Sequence, residues 1–163
     1  MILKPNTQFE GYTLTRQMGK STPYREMFHA LNEGGQDVAL IVYDMNKLPE
    51  CYNGIVPELE LIPVLSQDVF PKFQDKGFVN NETTSLRWVA TQYINGTSLT
   101  ECIEQDRPFP VKESLEKFYG ILVAVKEISW RLNKGSHNNI NTDNIIVSTD
   151  EYGNEKWYLV GLN

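Results

Sequence analysis

Six consecutive apolar residues, Val38-Ala39-Leu40-Ile41-Val42-Tyr43, lie between the turn Asn32-Glu33-Gly34-Gly35-Gln36 and Asp44. A run this short, rich in β-branched residues and free of polar interruptions, is the pattern of a strand buried on both faces. Such a strand needs neighbours and apolar cover, and the preceding residues supply the neighbours. Tyr12 to Leu31, interrupted by Gly19 and Pro23, reads as a strand, a turn and a second strand through Glu26-Met27-Phe28-His29-Ala30. Residues 12–43 therefore predict a three-stranded antiparallel meander.

Downstream, Leu61, Ile62 and Leu65 fall on one helical face of the segment Val56–Leu65. Pro57 suits a first helical turn. Pro63 does not suit a helix interior, because it removes a hydrogen bond and crowds the preceding turn. A short or kinked helix is expected. Phe78-Val79 and Trp88–Ile94 read as two more strands around Asn80–Thr84, and Asn95-Gly96-Thr97 ends the second. Ser98–Ile103 begins a short helix capped by Thr97 or Ser98, with Glu101 placed as in a capping box. The clearest helix runs from about Val111 to Leu132, with Leu115, Phe118, Ile121, Leu122, Val125, Ile128 and Leu132 at helical period and Gly135 as its stop. A polar loop, His137 to Asn144, precedes a hairpin made of Asn144–Val147, the turn Glu151–Asn154 and Lys156–Val160.

The 163 residues suffice for one hydrophobic core and are too few for two comfortable ones. With 15 basic and 21 acidic residues the net charge is −6, which argues against a dedicated nucleic-acid binder. Cys51 and Cys102 form neither a disulfide framework nor a zinc-ligand spacing. No signal-peptide h-region and no apolar stretch of membrane-spanning length is visible. The expectation is a cytoplasmic protein with no membrane or nucleic-acid partner.

Four phrases, taken in order, resemble the Ser/Thr protein kinases of eukaryotic type. Val38–Tyr43 is similar to the strand written V-A-x-K-V, and Gln92-Tyr93-Ile94-Asn95-Gly96-Thr97-Ser98-Leu99 to the hinge phrase E-Y-I-x-G-x-S-L. His137–Val147 resembles H-R-D-I-K-P-E-N-I-L-V, and Leu159-Val160-Gly161-Leu162 stands where D-F-G-L belongs. The resemblance runs from about Phe9 to the last residue. It implies an α+β fold. A kinase-like N-lobe, a five-stranded antiparallel sheet plus one helix, would occupy residues 1–94. A truncated C-lobe of long helix, loop and β-hairpin would occupy 95–163.

The same resemblance implies the loss of a mechanism. Phosphoryl transfer depends on placed positive charge and metal. Ile41 stands in place of the phosphate-binding lysine, and Glu58 matches that lysine's helix partner, so a solvated carboxylate or a bond elsewhere is expected of it. Of the glycine loop only Gly19 remains; Thr22 and Arg25 occupy later glycine positions, and an ordinary strand turn with solvated charges is expected. Asn139 replaces the catalytic base, and an amide has no useful basicity. Asn141 replaces the loop lysine, and His137 matches a structural histidine. Leu159 replaces the metal-binding aspartate, leaving Asn144 as the one retained ligand position and no metal or cofactor expected. The hinge, Thr91, Gln92, Tyr93 and Ile94, could still receive adenine through backbone groups.

These replacements predict a non-enzyme, a pseudokinase acting as an interaction or regulatory module; the alternative is a non-catalytic nucleotide sensor using the hinge. An atypical phosphotransferase of the aminoglycoside type is disfavoured, because Asn139 fails its loop pattern as well. The kinase resemblance stops after the D-F-G position, so one face of the long helix is expected to lie uncovered. Leu115, Phe118, Leu122, Val125 and Trp130 are the candidates for an interface with a protein partner or a second copy. The abrupt end after a strand suggests an excised N-terminal domain, the alternative being a minimal module.

Overall fold

The computed structural model describes residues 3–131 and 137–162. They form two compact units, Met1–Pro63 with Lys72–Tyr93, and Val64–Pro71 with Ile94–Asn163.

The first unit is built on one antiparallel sheet. Its strands are β1 (Gln8–Phe9), β2 (Tyr12–Met18), β3 (Arg25–Leu31), β4 (Asp37–Asp44), β5 (Phe73–Asn80) and β6 (Ser85–Gln92), in the spatial order β1-β2-β3-β4-β6-β5. The sheet has six strands rather than the five expected. Gln8 and Phe9 fold back to pair with Thr13 and Tyr12, across a turn in which Glu10 and Gly11 both take positive φ (48° and 83°). A two-residue strand is too short to carry an alternation signal in sequence. β5 also begins five residues before the expected Phe78. Its Gln74, Asp75 and Lys76 are exposed, as an edge strand permits, so they hid it from a reading based on apolar runs.

β4 is covered on both faces, as its composition required. Val38, Leu40 and Val42 pack with Phe9, Tyr12, Leu14, Phe28, Ala30, Leu86, Trp88 and Ala90. Ile41 and Tyr43 pack on the other face with Val56, Leu59 and Val89. Each fully buried aliphatic side chain of this kind contributes about 1.5–3 kcal/mol by transfer from water, so β4 is the organising strand. The second cluster involves helix α1 (Pro57–Leu61), which opens on Pro57 and passes at once into a 3₁₀ turn at Ile62–Val64. The short, interrupted helix is the one the two prolines predicted.

The second unit contains β7 (Thr97–Ser98), α2 (Leu99–Glu104), α3 (Val111–Arg131), β8 (Ile145–Thr149) and β9 (Glu155–Leu159), with β7, β8 and β9 forming a small sheet. The expected capping box is present: the Ser98 hydroxyl accepts from the Glu101 backbone N–H, and Glu101 accepts from that of Ser98. Helix α3 buries Ile121, Ala124 and Ile128. The predicted helix end at Leu132 and stop at Gly135 lie outside the described residues. Segment 64–71 is tied to this unit, since Ser66 donates to Glu127 (Oγ to Oε1, 2.9 Å) and Leu159 N–H donates to the Val69 carbonyl (2.8 Å). Among the described residues no helix is long and apolar enough to cross a membrane.

Candidate functional site

In the first unit, strand alternation sends Ile41 and Tyr43 to the face of β4 that also receives α1. Ile41 is buried there among apolar neighbours. A core position of this kind offers nothing to a phosphate.

Glu58, on α1, is 1% exposed and is not solvated. The Arg25 guanidinium grips it with two nitrogens: Nε donates to Oε2 at 2.9 Å and Nη2 to Oε1 at 3.2 Å. The Tyr43 hydroxyl donates to the same Oε2, and Arg25 Nε also reaches the Tyr43 oxygen at 3.1 Å. Arg25 and Tyr43 are directly opposed across the β3–β4 ladder, which delivers both to one carboxylate. Burial alone would lower the Arg25 pKa, but the Glu58 carboxylate overrides it and holds the guanidinium above its ordinary value. Burial first, and then Glu58, push the Tyr43 hydroxyl well above the usual tyrosine range. The expectation of a solvated Arg25 in an ordinary turn is therefore corrected. The sequence signal that could have found the pair was a lone arginine one strand away from an apolar Ile41.

At the hinge positions, Thr91 is buried and Gln92, Tyr93 and Ile94 are half-buried. The Gln92 N–H is already committed to the Lys72 carbonyl at 2.8 Å. The Tyr93 ring meets His29 edge-on at 4.4 Å between centroids, and its hydroxyl accepts from Arg16 Nη2 at 2.5 Å. His29 in turn lies between Thr15 and Asp37, with Nδ1 2.5 Å from Thr15 Oγ1 and Nε2 2.6 Å from Asp37 Oδ1. These contacts join β2, β3 and β4 to the end of the sheet at Tyr93.

In the second unit, the residues singled out in the loop 137–144 come together with Gly161. Asn139 Nδ2 donates to the Gly161 carbonyl at 2.9 Å, and Asn144 Nδ2 to the Asn139 carbonyl at 2.8 Å. Asn141 Oδ1 accepts from the backbone N–H groups of Asp143 and Asn144, and its Nδ2 donates to Asn139 Oδ1 at 3.1 Å. The Val160 N–H donates to the Asn144 carbonyl at 2.9 Å. One carboxamide, that of Asn139, and the Val160 backbone bond thus hold the loop to the chain after β9, while those of Asn141 and Asn144 brace the loop itself, all without a charged group. Gly161 has φ of +70°, and a Cβ there would lie 2.9 Å from Asn144 Oδ1, so both backbone and space require glycine. His137 is buried, in keeping with a structural role. Leu159, which the kinase resemblance aligns with a metal-binding aspartate, is buried. Among the described residues no cluster of three His, Cys, Asp or Glu side chains could hold a metal ion.

The interface candidates on α3 divide. Leu115 (65%), Leu122 (64%) and Trp130 (82%) are widely exposed. Phe118 is 40% exposed and packs edge-on against Trp157, with 5.1 Å between ring centroids. Val125 is half-buried.

No protein-family profile matches the chain. The serine/threonine-protein kinase grp of Drosophila melanogaster is 25% identical over 148 residues, covering 90% of this chain and 27% of that protein. The kinase domain of Mycobacterium tuberculosis PknI superposes with a TM-score of 0.72 at 22% identity, covering 99% of this chain and 63% of that one. Rad53 in complex with AMP-PNP gives 0.67 at 19% identity, over 94% of this chain and 39% of that one. The chain spans little more than a quarter of its curated relative and under two thirds of the PknI domain. With its strand order and loop phrases in place, the chain carries the kinase-domain fold over its length and is similar in sequence to a serine/threonine-protein kinase.

Proposed function

We propose that the chain is a catalytically inactive kinase-like module, a pseudokinase that works by binding protein. The observation that carries this reading is the occupation of the working positions by groups already committed to structure. Ile41 and Leu159 are buried apolar residues, and the Asn139 amide is spent on the Gly161 carbonyl. Each of the lost roles ordinarily supplies orders of magnitude in rate, and an isoleucine, a leucine and an amide supply none of the charge.

The binding surface in this reading is the uncovered side of α3. Val111, Leu115, Phe118, Leu122 and Val125 recur at alternating steps of four and three residues, the spacing of a helix seam. Leu115 and Leu122 are open to solvent while Ile121, Ala124 and Ile128 face inward, so the helix carries a second apolar stripe that is only partly used internally, through Phe118 on Trp157. A second apolar stripe on one helix fits docking by another helix or by a second copy. The free thiols Cys51 and Cys102 are compatible with a cytoplasmic setting.

The test is a phosphotransfer assay with Mg-ATP and a generic protein substrate. Incorporation at background is expected, both for the native chain and for Ile41→Lys, since one restored cation leaves Asn139 and Leu159 unchanged. Magnesium-dependent turnover abolished by substituting Asn144 would overturn the reading. A thermal shift at millimolar ATP would move the assignment to the nucleotide-sensor alternative.

A further inference from the structure

Helix α1 is five residues long, and its N-cap residue Val56 makes no side-chain capping bond. A helix of this length has no stability of its own in water, so its place depends on tertiary contacts. Leu59 supplies apolar contact with Val56, Ile41 and Val89. The buried polar contact is concentrated in one carboxylate, the other tie to the sheet being an exposed Glu60–Arg87 pair at 3.5 Å that is worth little. Both oxygens of Glu58 are engaged, by Arg25 from β3 and by Tyr43 from β4, so three separate elements meet at that side chain. Two parallel N–H···O bonds from a guanidinium fix direction as well as distance, which a single ammonium cannot do.

The register explains how the pair arose. Arg25 stands opposite Tyr43, and Met27 opposite Ile41, on the β3–β4 ladder. Arg25 therefore stands one strand across and two residues along from Ile41, the apolar residue at the position where the kinase resemblance implies a lysine. Arg25 is directed at Glu58, with Nε and Nη2 both spent on it. We propose that Arg25 and Tyr43 form a permanent latch on Glu58 that holds α1 against the sheet with no nucleotide bound. The latch belongs wholly to the first unit and is independent of the reading of α3. It makes the position of α1 a built-in property of the fold rather than a response to a ligand.

The test is amide hydrogen exchange on the full 163-residue chain, with and without Mg-ATP. The reporters are the α1-associated amides Leu59 and Glu60, which bond to the Val56 carbonyl, and Ile62, which bonds to that of Glu58. In the native chain their protection is expected to agree within about twofold with and without Mg-ATP. Arg25→Gln should speed their exchange at least about tenfold beyond whatever global change is read at Phe28 and Leu40 in the sheet. Arg25→Lys keeps the charge and loses the fork; it should fall between, at about three- to tenfold, and carries the test if Arg25→Gln does not fold. Exchange at α1 unchanged in Arg25→Lys and in any folded Arg25→Gln would overturn the latch. So would protection that appears in the native chain only when Mg-ATP is added. Mg-ATP turnover in the assay above would overturn the non-catalytic reading and leave the latch standing.

Discussion

A single carboxylate shows how a buried charge is partnered across elements. Glu58 is buried, and a buried carboxylate without a partner is costly, so with apolar Ile41 beside it the fold must supply a cation from elsewhere or lose the acid. It supplies Arg25. Removing one member then exposes the cost. Arg25→Met, which leaves Glu58 buried and unpaired, is expected to lose about 3–5 kcal/mol in urea denaturation, whereas Arg25→Met combined with Glu58→Leu should recover most of that loss. The loop asparagines follow another logic. Asn139, Asn141 and Asn144 are neutral, and their bonds are to main chain and to one another, so Asn139→Asp would set a carboxylate against the Gly161 carbonyl where an N–H now donates. That substitution is expected to lower the melting temperature without producing phosphotransfer, read by calorimetry and the Mg-ATP assay together.

At the scale of elements, two contacts decide whether neighbouring pieces hold. Gly77 on β5 is opposite Trp88 on β6, and a Cβ at Gly77 would come within 2.5 Å of Trp88 Cζ2. The indole is buried and meets Tyr12 edge-on, so it has little room to yield. Gly77→Ala is expected to cost about 1–3 kcal/mol by overpacking, measured by chemical denaturation. The segment 64–71 is held on α3 through Glu127. Burial raises the Glu127 pKa, but hydrogen bonds from Ser66 and Arg131 outweigh it and leave the carboxyl below its ordinary value. A depressed folded-state pKa means that the tie is at full strength above the unfolded pKa of about 4.3 and is lost as pH falls through the folded value. Exchange at the Ser66 amide should therefore accelerate, beyond the intrinsic pH dependence, as pH falls below the ordinary glutamate range, and Glu127→Gln should flatten that extra change.

For the molecule as a whole, the composition is that of an ordinary globular chain with net charge −6, yet α3 keeps a second apolar stripe. Leu122→Glu separates folding from association. Leu122 is widely exposed, so the change should alter stability by no more than about 0.5 kcal/mol. It is expected to abolish any concentration-dependent mass increase of the native chain in light scattering. A native chain that stays monomeric at high concentration would remove self-association and leave a different protein as the partner.

Much of the fold is legible in the order of the residues. The unbroken run Val38–Tyr43 dictated a strand covered on both faces, because no polar residue in it could face water. Pro57 and Pro63 dictated a short, interrupted helix, and Ser98 with Glu101 dictated the start of α2, because both act through local backbone geometry. The kinase phrases named the positions Ile41, Asn139, Asn141 and Leu159 for the same reason, each being fixed by sequence spacing. What the sequence could not determine was which side chains meet across elements. The first strand, Gln8–Phe9, exists only because Tyr12 and Thr13 offer it a partner. The extended β5 exists because an edge strand tolerates exposed polar residues. The Arg25–Glu58 pair, separated by 33 positions, was decided by the β3–β4 register and the seating of α1. Local preferences travel with the residue, whereas a buried charge finds its partner only once the tertiary structure has excluded water.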